Sequence, residues 1–182
     1  MDSSGSLRND YQREKDFLKT VAGAFGISNN GSRSSVLTFS YNSELSIKFK
    51  DHFDQKSFND AVDAIPLMGH TTRIDTAFRL AQKEMFTEAN GARLNLPSIL
   101  ILLTDGSQTR DAGAENPEDI ADELRASGIN LIVVGIGKGV NQTELDLMAG
   151  GPQKAFSAAS FDELVGGTFI QQLTEKSCEV GM

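Results

Sequence analysis

A chain of 182 residues, 39% hydrophobic and 23% charged, has the size and balance of one folded domain, and its 17 Gly and 4 Pro exclude collagen, coiled coil and long disorder. Lys plus Arg number 17 against 25 Asp plus Glu, giving a formal net charge of -8 and a pI near 4.7. Acidity without a basic cluster argues against nucleic acid or anionic lipid as partner and suits a protein that holds cations or meets basic partners, a solvated acidic surface being the plainer alternative.

With no internal repeat, low-complexity tract or linker, residues 1–182 read as a single domain. Arg8 to Phe25 carries Tyr11, Phe17, Leu18, Val21, Ala22 and Phe25 at spacings of three and four, an amphipathic helix that Gly26 stops. Val36 to Tyr41 reads as a strand, and Leu45, Ile47 and Phe49 alternate as a second, so the short turn at Asn42-Ser43 makes an antiparallel hairpin. Lys56 to Ile65 is a short helix, Pro66 to Thr72 a loop, and Asp75 to Phe86 a further helix. The apolar run Ile99 to Leu103 ends abruptly in Thr104-Asp105-Gly106, the pattern of a strand buried on both faces of a parallel sheet. Pro117 opens a helix through Ala126 that Gly128 closes, and Asn130 to Ile136 is a second buried strand. A short helix near Thr143 to Met148, a small strand at Ala155 to Ser157 and a last helix from Phe161 to Thr174 complete the chain. Alternating strands and helices predict an α/β fold with helices on both faces, where ligands gather at the carboxyl ends of the strands.

Asp105 stands at such an end. Asp2, Ser4 and Ser6 alternate in Asp2-Ser3-Ser4-Gly5-Ser6, and Thr71-Thr72 lies in the loop before the third helix. All are hard oxygen donors, the kind that Mg²⁺ takes, about six at roughly 2.0–2.1 Å. Separately each has an ordinary use, since Asp and Ser cap helices and Thr-Asp-Gly makes turns.

Asp2-x-Ser4-x-Ser6, the Thr71-Thr72 loop and Leu103-Thr104-Asp105-Gly106 together resemble the metal-ion-dependent adhesion site of the von Willebrand factor type A domain. Ser35 to Tyr41 and Ile132-Val-Val-Gly-Ile-Gly137 resemble two strands of the same family, and the likeness covers essentially the whole chain. Among extracellular members the chain looks most like the domains of collagen VI and matrilin. The resemblance implies a Rossmann-like, doubly wound, mostly parallel sheet with one antiparallel edge strand. It implies Mg²⁺ or Mn²⁺ bound directly by Ser4 and Ser6, with Thr72 direct or through water, and Asp2 and Asp105 acting mostly through water. Thr72 is preferred to Thr71 because that register aligns Ala77-Phe78 with the family's small-apolar pair. A Glu or Asp carboxylate from a protein partner, collagen-like or another matrix component, would complete the coordination. The implied activity is adhesion rather than turnover, in a secreted or matrix protein.

Family members carry an apolar strand leading directly into the first aspartate, whereas only Met1 precedes Asp2. The expectation is therefore a fragment that lacks a central strand and, expressed as written, folds poorly. A fragment would also account for MDSSGSLRND, which has no apolar leader and by itself reads as cytoplasmic. The single cysteine, Cys178, is a free thiol or half of a bridge to a partner outside the chain, and Asn30 and Asn141 stand in glycosylation patterns. No apolar run is long enough for a membrane span. Two rival readings remain: an intracellular type A subunit of a protein complex, and a Mg²⁺-dependent phosphoryl-transfer enzyme with Asp2 as nucleophile or metal ligand. The enzyme lacks a second acid near Asp2 and a basic phosphate binder. Gly135-x-Gly137-x-Gly139 has the wrong spacing for a dinucleotide site, and His52 and His70 without cysteines do not make a zinc site.

Overall fold

In a computed structural model, residues 1–165 and 167–178 are described. A 3-10 turn at Gly5–Asn9 precedes helix α1 (Tyr11–Phe25), so the helix starts three residues after the predicted Arg8, at the first of its apolar positions. Gly26 ends it with a left-handed φ of 71°, the conformation glycine adopts without steric cost. Strands β1 (Val36–Phe39) and β2 (Ser43–Ile47) form the expected antiparallel hairpin, with a register shift between Val36 and Leu37. Helix α2 (Gln55–Ala64) is capped by the Asp54 carboxylate, which accepts from Ser57 N. Helix α3 covers Ile74–Leu80, and the rest of the predicted helix is a π turn at Ala81–Met85.

Strand β3 (Ser98–Thr104) pairs in parallel with β4 (Ile129–Ile136), and β4 with β5 (Ala155–Ala158). Helices α4 (Pro117–Ala126) and α5 (Gln142–Ala149) make the crossovers. The last predicted helix is found as α6 (Phe161–Val165) and α7 (Gly167–Cys178), with Gly166 outside the described residues. The fold is α/β and Rossmann-like, with its strands hydrogen-bonded in two groups, the antiparallel β1–β2 and the parallel β3–β4–β5.

Alternation along β4 shows why its run Leu131 to Val134 is apolar throughout. Leu131 and Val133 face a core shared with Ile74, Phe78, Ile120 and Leu145. Ile132, Val134 and Ile136 face one shared with Phe17, Leu164 and Leu173. Helices therefore cover both faces of the sheet, and a run with no polar position is what that burial requires.

Between the two groups of strands lies a cavity of about 490 Å³. Its walls include Leu37 of β1, Leu100 and Leu102 of β3, Phe17 and Val21 of α1, and Phe78 of α3. On the β1 side, Phe39 N donates to Met1 O (3.1 Å) and Ser3 N to Phe39 O (2.7 Å), so residues 1–3 run parallel to β1. Among the described residues, β3 is paired along one edge only.

Candidate metal centre

The carboxyl end of β3 brings three segments together. Asp2 is fully buried; its Oδ1 accepts from Ser4 N at 2.8 Å and its Oδ2 from Thr104 Oγ1 at 2.7 Å. The first bond bends residues 2–4 so that the hydroxyls of Ser4 and Ser6 meet at 3.0 Å. Ser6 Oγ then donates to Asp105 Oδ1, also at 3.0 Å, joining two segments almost a hundred residues apart in sequence. Gly69 N donates to Ser3 O and Gly5 N to His70 O, both at 2.8 Å, which lays the 69–72 loop alongside the first segment. A Cβ on Gly5 would sit 3.0 Å from Gly69 O, so this approach depends on glycine. A Cβ on Gly139 would come within 2.5 Å of Asp105 O, a second contact of the same kind.

Thr72 is buried and Thr71 exposed. Thr72 N donates to Thr109 Oγ1 at 3.2 Å and Thr109 N to Thr72 O at 2.8 Å, tying the threonine loop to the segment that follows Asp105. Asp2, Ser4, Ser6 and Asp105 are thus linked directly, and Thr72 is held to them through backbone pairing. His70 lies in the same loop, exposed. Among the described residues no three His, Cys, Asp or Glu side chains gather as a metal cluster, and the candidate set instead mixes two carboxylates with hydroxyls.

Electrostatics favours a cation here. Burial pushes the Asp2 carboxyl above its ordinary range; hydrogen bonds from Thr104 and Ser4 oppose this, and the charge of Asp105 adds to it. Glu14, which the sequence reading passed over, accepts from Asp2 N at 2.8 Å through Oε1, while its buried Oε2 has no hydrogen-bond partner. Burial raises its carboxyl well above the usual range; the Met1 ammonium opposes the shift and Asp2 reinforces it. Its signal was present, since position 14 lies on the apolar stripe of α1 between Tyr11 and Leu18, where an acid is out of place. The buried Asp2 carboxylate, the linked hydroxyls of Ser4 and the exposed Ser6, and the half-buried Asp105 carboxylate are oxygen donors of the kind a hard cation takes.

The model of the von Willebrand factor type A domain family matches residues 1–175. The chain belongs to that family. Type A relatives include integrin alpha-M of Mus musculus, 30% identical over 97% of this chain and 15% of its own length. Matrilin-3 of Gallus gallus is 28% identical over 84% of this chain and 33% of its own length. The collagen alpha-6(VI) chain of Homo sapiens is 34% identical over 91% of this chain and 7% of its own length. The chain therefore spans a third or less of these relatives. Proximal thread matrix protein 1 of the mussel byssus superposes with a TM-score of 0.89 at 27% identity, over 98% of this chain and 46% of that one. A second structure of that protein, at 26% identity and a TM-score of 0.86 with the same coverage, has a zinc-occupied MIDAS motif. Relatives of this type A domain are thus adhesion and matrix proteins, and a divalent metal sits in the motif of a structural neighbour.

Outside the site, Asn30 and Asn141 are exposed, and the Asn141 side chain caps α5 by accepting from Thr143 N. The side chain of Cys178, at the end of α7, lies outside the described residues. Among the described residues no helix is long and apolar enough to cross a membrane.

Proposed function

We propose that this type A domain binds Mg²⁺ or Mn²⁺ and uses it to hold a Glu or Asp carboxylate of a protein partner in the extracellular matrix, with a collagen-like chain as the first candidate. The chain of contacts Ser4–Ser6–Asp105, anchored by Asp2 on Thr104, carries this reading. Ser4, Ser6 and Thr72 would bind directly, and Asp2 and Asp105 through water. A bound divalent ion supplies positive charge for an incoming carboxylate, incompletely neutralised because the acids stand back from it. The protein's part is to hold the hydroxyls in place and to bury Asp2 so that its oxygens stay fixed. Nothing in the set is an evident base or nucleophile with a basic phosphate binder, so the domain binds and does not turn over. Calorimetry should show divalent binding to the wild type that Asp105→Ala abolishes, and unchanged binding in that variant would end the assignment. Immobilised domain should retain a collagen-like chain in Mg²⁺ and release it in EDTA. Metal-dependent phosphate-ester hydrolysis lost with Asp2→Ala would favour the enzyme instead.

We read 1–182 as one domain whose cavity between β1 and β3 has the form of a strand site. Two walls are strands, and an unpaired ladder edge costs roughly 1–3 kcal/mol per buried group. Five or six apolar residues joined ahead of Met1 should raise the thermal midpoint and suppress aggregation. A sharp, monomeric transition of the unextended chain that the extension leaves unchanged would count against this.

A further inference from the structure

The threonine loop is fastened to the aspartate loop by more than the Thr72–Thr109 pair. Gln108 Oε1 accepts from Ile74 N (2.7 Å) and Asp75 N (3.2 Å), so a side chain from one loop caps the helix that follows the other. The α3 N-cap residue itself, Arg73, gives no side-chain cap. Gln108 Nε2 donates to Asp75 Oδ1 at 2.7 Å. Arg73 grips Asp75 with two bonds, Nε to Oδ1 at 2.8 Å and Nη2 to Oδ2 at 2.7 Å. It also reaches Asp111 Oδ1 at 2.8 Å and Gly113 O at 3.2 Å, and Glu115 N closes on Asp75 Oδ2 at 2.9 Å. Arg73, Asp75 and Gln108 are all buried, at 7%, 2% and 8% exposure. A bidentate Arg–carboxylate pair fixes orientation as well as distance, and here every oxygen of Asp75 is used.

We infer that Arg73, Asp75 and Gln108 form a clasp of positioning residues that makes the 70–75 and 104–115 segments one rigid unit, setting Thr72 relative to Asp105 for the metal. The inference rests on the metal-site reading for its ligand and on the hydrogen-bond network for its mechanics. None of the three side chains is a metal ligand. Their effect reaches the metal through Thr72, whose carbonyl and amide are both held by Thr109, one residue from Gln108. A consequence is that Thr72 and Asp105 shift together when a partner binds, never singly.

The test uses the whole chain in four forms: wild type, Asp75→Asn, Gln108→Leu, and Lys83→Ala as a control at an exposed position of the π turn that follows α3. Amide hydrogen exchange of the metal-free proteins comes first. Thr72, Ile74 and Thr109 should exchange faster in Asp75→Asn and Gln108→Leu and at the wild-type rate in Lys83→Ala. Mn²⁺ titration comes second. Each clasp variant should weaken Mn²⁺ binding about tenfold or more, the usual loss for a partner standing behind a ligand, with Lys83→Ala unchanged. In a Thr72→Ala background Asp75→Asn should cost nothing further, because its route to the metal has been removed. A merely stabilising role would leave the Asp75→Asn loss intact in that background, and that result overturns the proposal. Unchanged exchange at Thr72 and Ile74 in both clasp variants overturns it as well. Gln108→Leu, which keeps both charges, decides if Asp75→Asn does not fold. Wild type that takes up no Mn²⁺ defeats the metal-site reading by itself, and the clasp is then judged on exchange alone.

Discussion

Asp75 and Glu14 are both nearly without exposure, at 2% and 0%, and in both cases burial works against the charge. Around Asp75, hydrogen bonds from Arg73, Gln108 and the Glu115 amide outweigh burial and hold its carboxyl down at about 2. Around Glu14 one backbone amide donates, Oε2 is left alone, and the carboxyl moves the other way. Each ion pair found among the described residues lies away from Asp2, Glu14 and Asp105. A buried acid with its own guanidinium is a finished structural element. Asp2 and Glu14 are buried and Asp105 half-buried, no ion pair found among the described residues involves them, and the positive charge beside the first two is the Met1 ammonium, an arrangement that leaves room for a cation from solution.

The largest expected effect attacks the finished network. Arg73→Ala leaves Asp75 buried without its counter-charge, and breaking such a pair costs about 3–5 kcal/mol. Urea unfolding should show that loss; a change below about 1 kcal/mol would mean that Arg73 does not balance Asp75. On the other side of the comparison, Mn²⁺ at a hundredfold excess over its dissociation constant should stabilise the wild type by about 2.7 kcal/mol. Asp105→Ala should show no such gain, and equal stabilisation of both would place the metal elsewhere.

The pH dependence is smaller and its sign is fixed by Asp75. Its folded pKa lies below the ordinary 3.8, so its contribution is complete above that value and is lost as pH falls towards about 2. The shift corresponds to on the order of 2 kcal/mol. Acid titration of stability should show this loss between about pH 4 and 2 in the wild type and lack it in Asp75→Asn. The smallest effect is expected from Glu14→Gln. Without metal at pH 7 it should be neutral or slightly stabilising, within about 1 kcal/mol, because a carboxyl whose charged form burial already disfavours is replaced by a neutral amide of the same shape. A loss as large as that of Arg73→Ala would erase the distinction between the two networks.

Most of the architecture was legible because burial dictates residue type. Ile99 to Leu103 and Leu131 to Val134 have no polar position, and only a strand covered on both faces asks for that. The strands predicted at Ile99 to Leu103 and Asn130 to Ile136 are found at Ser98–Thr104 and Ile129–Ile136, within a residue at each end. Helix α1 was predicted from Arg8, although its apolar positions begin at Tyr11, because the 3-10 turn that brings Ser6 to Asp105 has no periodic signal to mark its end. The oxygen donors were legible as a motif because Asp2, Ser4 and Ser6 are close in sequence and Asp105 ends a strand. The clasp was not. Gln108 meets Ile74 and Asp75 only after the chain has folded, and a glutamine in a polar loop carries no pattern. Glu14 could have been found, since an acid on an apolar stripe needs a reason.

The division of the strands into two hydrogen-bonded groups bears on how the molecule opens. No ladder bond crosses from β1 to β3, so β1–β2 can come away from the parallel sheet without breaking any bond within it. The amides of β4, paired on both sides over Val133–Ile136 and buried on both faces, belong to the last unit to exchange, and those of the hairpin to an earlier one. Occupation of the cavity by an extended segment would join the two ladders. Opening would then become a single cooperative event, and the slowest exchange would spread from β4 across the sheet to the hairpin.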